Sequence, residues 1–377
     1  MSTKHSKAAA EFLKNKKQAA WHDETLWLVR AKRDRLSKEV PEWEELRNMA
    51  CATKLYSNSH LDELLVEFEN NARANGAHVY WAKDADEYCN IVYNILNQHG
   101  VKHFIKSKSM LAEECELNPF LESKGIEVVE SDLGERILQL MHLKPSHIVL
   151  PAIHIKREQV GELFEREMGT EKGNFDPTYL THAARKNLRQ KFIHAEAAMT
   201  GANFAVASTG EIVVCTNEGN ADMGTSQPKL QIAAFGMEKI VPDRESLGVF
   251  TRLLARSATG QPITTYTSHY RKPREGGELH IIIVDNGRSK ILADPKHIKT
   301  LNCIRCGACM NTCPVYRRSG GYSYTYFIPG PIGINLGMLK APLHYYDNVS
   351  ACSLCYSCSF VCPAKVDLAE QIYLWRQ

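Results

Sequence analysis

One cysteine spacing occurs twice near the end of the chain, as CIRCGACMNTCP at residues 303–314 and as CSLCYSCSFVCP at residues 352–363. In both stretches the successive cysteines are three, three and four residues apart, and a proline follows the last of them. Proline lacks a backbone N–H and fixes its own φ, so it turns the chain away after the fourth cysteine. These two stretches decide what the last part of the chain folds around.

The spacing is that of iron–sulfur ligands. Three thiolates at every third residue let a short loop bind three corners of a cubane cluster, and in two-cluster ferredoxins the fourth cysteine of each run ligates the other cluster. Thiolates also suit so soft a metal core. We therefore assign one [4Fe–4S] cluster to Cys303, Cys306, Cys309 and Cys362. The second [4Fe–4S] cluster is assigned to Cys352, Cys355, Cys358 and Cys313.

Structural zinc and disulfides are the alternatives for these eight cysteines. Zinc sites usually present two C-x2-C pairs separated by about 15–20 residues, which three cysteines at intervals of three fit poorly. Disulfides are disfavoured because the N-terminus lacks the apolar core of an export signal, and cytosolic thiols stay reduced. The sequence therefore favours iron–sulfur clusters in a cytoplasmic protein.

The residues around the cysteine runs carry further expectations. Arg305 and Lys365 lie beside ligands, where a positive charge would favour a reduced cluster, although both equally fit ordinary solvated side chains. Gly307 leaves room for backbone N–H groups near the sulfides. Between the runs, aromatic residues are expected to pack over the clusters and exclude water, namely Tyr322, Tyr324, Tyr326 and Phe327. Helical patterns at residues 296–301 and 367–375 favour the helical ferredoxin type found in succinate dehydrogenase-like iron–sulfur subunits.

Length and composition are those of an ordinary globular protein, with 44% hydrophobic and 24% charged residues in a chain of 377. This length predicts two or three domains that each bury a core. The net charge of +3 is too small to indicate a nucleic-acid partner. No run of 18 apolar residues occurs, so no membrane span is predicted. The ten Lys or Arg against four Asp or Glu in residues 1–38 favour a solvated helix face, with peripheral association at a lipid or partner surface as the alternative.

Hydrophobic periodicity divides the rest of the chain. Residues 1–60 are helical in pattern with a break at Pro41, and they are expected to lie on the next domain or on another subunit. From residue 61 onward, helices and strands alternate, which predicts a mostly parallel sheet covered on both faces, a Rossmann-like α/β domain. Predicted helices cover 61–74, 85–98, 134–141, 156–168, 179–199 and 244–257. Predicted strands cover 78–82, 103–106, 126–130, 147–152, 204–207, 212–215, 230–235 and 280–285, with a polar loop at 216–228.

Three segments follow from this pattern: a helical lead over 1–60, an α/β domain over 61–290 and a ferredoxin-type domain over 291–377. Neither GxGxxG nor GxxxxGK[ST] occurs, so the α/β domain shows no dinucleotide fingerprint and no P-loop.

A polar loop at predicted strand ends is the best candidate for a small-molecule or partner site, because ligands collect at the carboxyl ends of strands in open α/β sheets. Its residues are Glu211, Glu218, Asn220 and Asp222. A polar turn that satisfies its own backbone explains them equally well. The remaining cysteines, Cys51, Cys89, Cys115 and Cys215, show no ligand spacing and are interpreted as small buried apolar residues. The histidines His142, His147 and His154 show no metal pattern, and no residue is assigned a catalytic role.

The chain resembles a known family. The segments TGEIVV at residues 209–214 and NEGN at residues 217–220, followed by Pro228, are similar to the core of the lactate-utilisation (LUD) domain. Together with the two cysteine runs, they resemble the lactate-utilisation protein B family over nearly the whole chain. The resemblance implies a LUD domain with a fold like that of sugar isomerases and CoA transferases.

The resemblance also implies a function. Members belong to a three-protein system that oxidises L-lactate to pyruvate in the cytoplasm, and this chain would be its iron–sulfur electron carrier. Its partners would be a cysteine-rich CCG-domain protein and a second LUD-domain protein. An electron carrier for another 2-hydroxy acid such as glycolate, and an iron–sulfur regulatory or scaffold protein, stay open as alternatives. Relatives usually continue well beyond the second cysteine run, whereas this chain ends fifteen residues after Cys362, which predicts a truncated or variant C-terminus.

Overall fold

The structure is a computed structural model that describes residues 4–377. Its strands are β1 (His78–Ala82), β2 (His103–Lys106), β3 (Glu127–Glu130), β4 (Ala197–Gly201), β5 (Phe204–Val206), β6 (Glu211–Thr216), β7 (Leu230–Gly236), β8 (Ile240–Val241), β9 (Tyr266–Tyr270) and β10 (Glu278–Val284).

The helices of the first 300 residues are α1 (Lys4–Lys14), α2 (Lys16–Lys38), α3 (Trp43–Ser59), α4 (Leu61–Ala74), α5 (Ala85–Gln98), α6 (Met110–Glu114), α7 (Leu117–Ser123), α8 (Leu133–Met141), α9 (Arg157–Met168), α10 (Pro177–His194), α11 (Asn220–Ser226), α12 (Arg244–Thr259) and α13 (Arg288–Leu292). The cysteine-rich part adds α14 (Ala308–Thr312), α15 (Pro314–Ser319), α16 (Gly330–Lys340), α17 (Pro342–Ala351), α18 (Ser357–Val361) and α19 (Leu368–Leu374). Short 3-10 helices lie at Ala207–Thr209, Met237–Lys239, Ile298–Asn302 and Gly321–Ser323.

A six-stranded parallel sheet organises the middle of the chain, with strand order β1-β10-β7-β4-β2-β3. Its central strands are buried on both faces, and every residue of β7 is buried. The sequences of such strands are nearly continuous apolar runs, because helices cover both sides of the sheet. The predicted α/β class with a Rossmann-like parallel sheet is confirmed, as is the mainly helical character of the C-terminal part.

A second sheet of four strands, β8-β5-β6-β9, lies beside the first. The sequence predicted β5 and β6, which pair as an antiparallel hairpin, but it did not predict a separate sheet or β9. The hairpin turn ends at Gly210, whose φ of +66° is left-handed. The turn packs on helix α4, where Asn71 donates from Nδ2 to the carbonyl of Ala207 at 2.9 Å. A Cβ on Gly210 would lie 2.2 Å from the backbone nitrogen of Ala72.

One helix boundary, one strand and one loop predicted from the sequence differ from the structure. The helix predicted over 179–199 ends at His194, and residues 197–201 form β4, a central strand. A short buried strand cannot be told from a helix by periodicity alone, and the alanines there continued the helical pattern. Residues 147–152 form turns instead of a strand, because the backbone N–H of Ser146 bonds the carbonyl of Pro151 at 3.1 Å and closes a loop. Helix α11 lies within the segment predicted as a polar loop.

The N-terminal helices pack on both other parts of the chain. Leu26 of α2 is fully buried in the core of the cysteine-rich region, and Ala50 of α3 is fully buried in the core formed by β5, β6 and α12. Arg33 donates to the carbonyl of Val361 at 2.9 Å, and Arg47 donates from Nε to the carbonyl of Cys362 at 3.1 Å. The N-terminal helices, which lack a core of their own, therefore pack their apolar faces against the other two parts of the same chain. None of the described helices combines the length and apolar character needed to cross a lipid bilayer.

Gly210→Ala is expected to lower the free energy of unfolding by roughly 2–4 kcal/mol, because the new methyl group meets the backbone of α4 and the residue must keep a left-handed φ. Gly248→Ala is the matched control, since Gly248 lies within α12 and a Cβ there meets nothing within 4 Å. It should leave stability unchanged or raise it by up to about 1 kcal/mol. Thermal unfolding of the two variants, followed by circular dichroism, measures both effects. Equal melting temperatures would contradict this account of the turn.

Candidate iron–sulfur centres

The first cysteine run and one distant cysteine surround a small enclosed cavity. Its volume is about 20 Å³, and the thiols that line it are Cys303, Cys306, Cys309 and Cys362. Burial raises the pKa of Cys306 to about 12, and the thiol of Cys362 adds to that rise. Burial likewise raises the pKa of Cys309, with contributions from Cys303, Cys306, Cys358 and Cys362 in that order. Cys362, which belongs to the second run, thus lies among the first three cysteines of the first run.

The fourth cysteine of the first run lies among the cysteines of the second. Burial raises the pKa of Cys313 to about 11, and Cys352 and Cys355 act in the same direction. The pKa of Cys358 is raised by burial and then by Cys313, Cys352 and Cys355. Cys355 is exposed, whereas Cys313 and Cys358 are buried. We call the first set the enclosed set, since three of its four thiols are buried and Cys303 is partly exposed, whereas the second set reaches the surface at Cys355.

The two runs have the same backbone conformation. The residue two after the first cysteine is left-handed in both, Arg305 with φ 60° and Leu354 with φ 52°. Each donates its backbone N–H to the preceding cysteine sulfur at 3.4 Å, Cys303 or Cys352. A left-handed φ is unfavourable for residues with a Cβ and persists where the surroundings impose it.

The loop also turns at the position after the second cysteine, where Gly307 has φ +76° and Tyr356 has φ 61°. A Cβ on Gly307 would lie 3.1 Å from the imidazole of His147, so this glycine also permits a close approach of the loop to residues 147–150. The repeated conformation wraps three thiols of each run around one point.

These residues fit iron–sulfur clusters by the chemistry of their donors. Closely spaced thiols that are mostly buried would be costly to ionise together, and a cationic metal core offsets that charge. Thiolates are also the donors that iron–sulfur clusters require. The guanidinium of Arg305 is buried, and its Nη1 has no hydrogen-bond partner among the described residues. An unpaired donor beside Cys303 and Cys306 is suited to a sulfide acceptor.

The two basic residues expected beside the clusters have different surroundings. The side chain of Arg305 is only 11% exposed, and its Nη2 lies 3.5 Å from Oε1 of Glu238. Lys365 is partly exposed and pairs with Glu44 of α3 at 2.5 Å. Arg305 therefore has a structural connection to the sheet, whereas Lys365 joins the cysteine module to the N-terminal helices.

A buried charge cluster connects the first cysteine run to the end of β7. Arg288 binds both carboxylate oxygens of Glu114 at 2.9 Å, and its Nε donates to Glu238. Burial alone would raise the pKa of Glu238, but Arg288 and Arg305 outweigh it and hold that pKa at about 2. The ammonium of Lys54 donates to the carbonyl of Glu238. No sequence pattern indicates this cluster, since its residues come from five separate segments.

A larger cavity of about 330 Å³ lies between the sheet and the first cysteine run. Of the polar loop proposed from the sequence, Glu218 and Asn220 line it. Glu211 does not, because it is fully buried in the second sheet and paired with Arg244 at 2.6 Å. Asp222 instead accepts hydrogen bonds from Ser268 and Tyr270. The structure thus brings half of that candidate set to a cavity.

The aromatic residues between the runs are only partly packed near the cysteines. Burial raises the pKa of Tyr324, and the neighbouring Cys313 adds to the rise. Tyr326 is buried against Phe327 and Tyr345. Tyr322 is 46% exposed, and its hydroxyl donates to the carbonyl of Lys144 at 2.6 Å.

The side chains of His147 and His154 have separate hydrogen-bond partners. His147 is buried, and its Nε2 pairs with Oδ1 of Asn311 in α14 at 2.9 Å. Burial lowers the pKa of His147 to about 3, so its ring is neutral and fixes the cysteine loop through Asn311. His154 bonds Ser146 and Tyr322 separately.

The cysteines outside the two runs differ in burial. Cys89 and Cys115 are buried, whereas Cys51 and Cys215 are partly exposed. Cys215 lines the larger cavity. The interpretation as small buried residues therefore describes only two of the four.

A second buried polar cluster lies at the ends of β2 and β3. The ammonium of Lys106 and the carboxylate of Glu130 pair at 2.6 Å, and both side chains are almost fully buried. Burial raises the pKa of the nearby Glu135 to about 8, and the charge of Glu130 adds to the rise. Glu135 therefore favours its protonated form in the folded protein at neutral pH.

Glu135→Gln is expected to stabilise the protein at high pH. The pKa of an unfolded glutamate is about 4.3, so its ionisation penalty is absent below that pH, grows as pH rises and is complete above the folded pKa of about 8. The variant should gain roughly 1–3 kcal/mol at about pH 9 and almost nothing at about pH 5. Glu130→Gln is the control and should destabilise at every pH, because it leaves the buried Lys106 with only the more distant carboxylate of Glu113 at 3.9 Å. Thermal unfolding across this pH range distinguishes the two, and a pH-independent effect of Glu135→Gln would refute the assignment.

Comparison with known proteins agrees with both parts of the structure. Residues 65–291 match the LUD domain family, and residues 299–366 match the 4Fe-4S dicluster domain family. Lactate utilization protein B of Geobacillus thermodenitrificans is 44% identical over 348 residues, covering 90% of this chain and 73% of that protein. An uncharacterized electron transport protein of Escherichia coli, YkgF, is 41% identical over 356 residues, covering 93% of this chain and 74% of that protein.

A solved structure shows a weaker likeness. A DUF162 family protein from Deinococcus radiodurans overlaps 59% of this chain and 98% of its own length, with 15% identity and a TM-score of 0.34. A TM-score at that level does not support an inference about this chain.

The fold and the cysteine sites define an iron–sulfur protein in which a LUD domain is joined to a dicluster domain. The sequence identity of its relatives, and the share of each chain that the match covers, define the family more narrowly. The chain belongs to the lactate utilization protein B family, as its sequence predicted.

Proposed function

We propose that this protein is the iron–sulfur electron carrier of an assembly that oxidises L-lactate to pyruvate. The observation that supports this most directly is the position of the two thiol sets. The first set is enclosed and reaches the large cavity through Cys306, while the second reaches the surface at Cys355. Such an arrangement suits transfer of electrons from the protein interior to an external partner.

The ligand sets that we propose are crossed between the runs. Cys303, Cys306, Cys309 and Cys362 hold one [4Fe–4S] cluster, and Cys352, Cys355, Cys358 and Cys313 hold the other. The small cavity lined by the first four thiols supports the first set. The influence of Cys352 and Cys355 on the pKa of Cys313 supports the second.

Two one-electron clusters match the chemistry of the proposed reaction. Oxidation of a 2-hydroxy acid releases two electrons, and each bound cluster would supply one acceptor for them. The protein's own residues set the surroundings of these acceptors. Arg305 brings a positive charge to the enclosed site, and the buried Tyr316 and Tyr324 exclude water from the region of Cys313.

The chain divides into three parts that suit this function. We propose a helical lead over 1–60, a LUD domain over 61–290 and a ferredoxin-type domain over 291–377, in which the lead holds the other two together. The relatives are named for lactate utilization, which supports membership of such a system. A CCG-domain protein and a second LUD-domain protein are the partners we propose, in the cytoplasm.

Replacement of single cysteines tests the crossed ligand sets. Cys306→Ser and Cys362→Ser should remove the same cluster, and Cys355→Ser and Cys313→Ser should remove the other, each with loss of about four iron atoms. Iron and sulfide analysis with EPR of the dithionite-reduced protein identifies which signal disappears. Cys51→Ser is the control, because Cys51 lies outside both sets and should retain all iron. If Cys362→Ser instead abolished the same signal as Cys355→Ser, the crossing would be wrong.

Reduction by substrate tests the carrier role. When the natively purified assembly is mixed anaerobically with L-lactate, signals of reduced [4Fe–4S] clusters should appear in EPR, and they should not appear with glycolate. Dithionite defines the fully reduced reference. Clusters that respond to dithionite and not to L-lactate would overturn the proposed substrate, and reduction by glycolate alone would identify a different 2-hydroxy acid.

A further inference from the structure

The large cavity occupies the position at which open parallel sheets bind ligands. Its floor includes residues at strand ends, among them Ser107 directly after β2, Ala202 directly after β4 and Glu238 two residues after β7. In parallel α/β sheets this crevice outside the carboxyl ends is the usual ligand site. The cavity volume of about 330 Å³ lies within the range of small-molecule sites.

The opposite wall of the cavity is the first cysteine run. Arg305 and Cys306 line it from that side, together with apolar residues that include Ile148 and Ile328. Helix α12 adds Leu254 and further small apolar groups. A molecule in the cavity would therefore lie between the strand ends and a thiol of the enclosed set.

Two lysines in the cavity wall form no ion pair with the residues that the structure describes, although carboxylates lie near enough to act on them electrostatically, Glu218 on Lys108 and Glu238 on Lys239. The arginines are already engaged, since Arg288 binds Glu114 and Glu238, and Arg305 shares Glu238. Lys108 and Lys239 also line the cavity. Within residues 4–377, no carboxylate forms an ion pair with either ammonium group. These two positive charges are therefore available to a ligand.

The surroundings of Lys239 favour an anionic ligand. Burial lowers the pKa of Lys239 to about 8, although the charge of Glu238 opposes this. A partly desolvated ammonium without a direct partner gains most from a charged acceptor, because hydrogen bonds between ionised groups are the strong ones.

Among the other polar groups that line the cavity, which include Asp132, the carboxyl group of Glu218 can hold a proton. Burial raises the pKa of Glu218 to about 7, and the neighbouring Asp132 adds to the rise. Glu218 accepts a hydrogen bond from the backbone N–H of Leu133 at 3.1 Å. Its second carboxyl oxygen can donate to or accept from a hydroxyl or carbonyl group when a ligand is bound.

We propose that this cavity binds a small organic carboxylate of the 2-hydroxy or 2-oxo acid class, with its carboxylate held by Lys108 and Lys239 beside Cys306. The proposal rests on the proposed function, because it gives this chain a binding site for the substrate or product of the assembly. The apolar wall accommodates the carbon skeleton, and Glu218 faces the polar substituent next to the carboxylate.

Calorimetric titration of the anaerobic, cluster-loaded protein tests the site. L-Lactate, pyruvate and inorganic phosphate are titrated separately, and the two carboxylates should show saturable binding that phosphate does not match. Lys239→Gln and Lys108→Gln should each weaken carboxylate binding about tenfold, as expected for loss of a charged hydrogen bond. Lys186→Gln is the matched control, because it removes the same charge from an exposed position on α10. Iron content and circular dichroism establish that each variant is folded, and if one lysine variant does not fold, the other carries the test.

The outcomes separate this inference from the carrier role. Equal binding by the parent and both lysine variants, or no carboxylate binding at all, overturns the site even if L-lactate reduces the clusters of the assembly. Phosphate binding of equal strength overturns the carboxylate class. Carboxylate binding that depends on the lysines supports the site even if L-lactate fails to reduce the clusters, a result that would overturn the carrier role alone. A change in the EPR line shape of the dithionite-reduced protein on addition of pyruvate would place the ligand beside the enclosed cluster.

Discussion

The buried carboxylate of Glu238 joins the sheet to the cysteine module. It lies two residues after the end of β7 and contacts Arg288, which also holds Glu114, and Arg305, which lies between two cysteines of the first run. Removal of one partner from such a network leaves a buried charge without compensation, which is far more destabilising than the net value of the intact network. The geometry of the network also fixes where the first cysteine run lies relative to the strand ends. These charge contacts fix the distance between the strand ends and the first cysteine run, and the cavity lies in the space between the two.

The sequence was informative where the constraint is local. Four cysteines and a proline within twelve residues form one loop, so their spacing indicated its chemistry without knowledge of the fold. Long periodic helices such as α5, and buried strands such as β10, were predicted for the same reason. Strand β4 was missed because Ala197 and Ala198 continue a helical pattern, and only pairing with β2 and β7 decides their conformation. Lys239, Arg288 and Glu114 carry no spacing signal, because their proximity arises only when distant segments meet.

Repetition of one backbone shape in two different sequences shows what the cysteine spacing imposes. Arg305 and Leu354 occupy the same left-handed position, as do Gly307 and Tyr356, although these side chains have little in common. Glycine would be the easiest residue at each of these positions, yet only one of the four is glycine. The interval between cysteines therefore determines the conformation, and the intervening side chains are free to serve the surroundings. Arg305 uses that freedom to reach Glu238, and Tyr356 uses it to donate to Glu370 at the surface.

The contacts of the N-terminal helices constrain the order in which the chain can fold during synthesis. Arg33 and Arg47 bind carbonyl groups of Val361 and Cys362, and β1 pairs with β10. Helices α2 and α3 therefore wait for residues more than 300 positions later in the chain before their apolar faces are covered. Contacts so distant along the chain slow folding and prolong the exposure of hydrophobic surface. Closure of α2 and α3 over the second cysteine run would also obstruct that side of the metal site, so delivery of iron and sulfide is expected to precede the final packing of these helices.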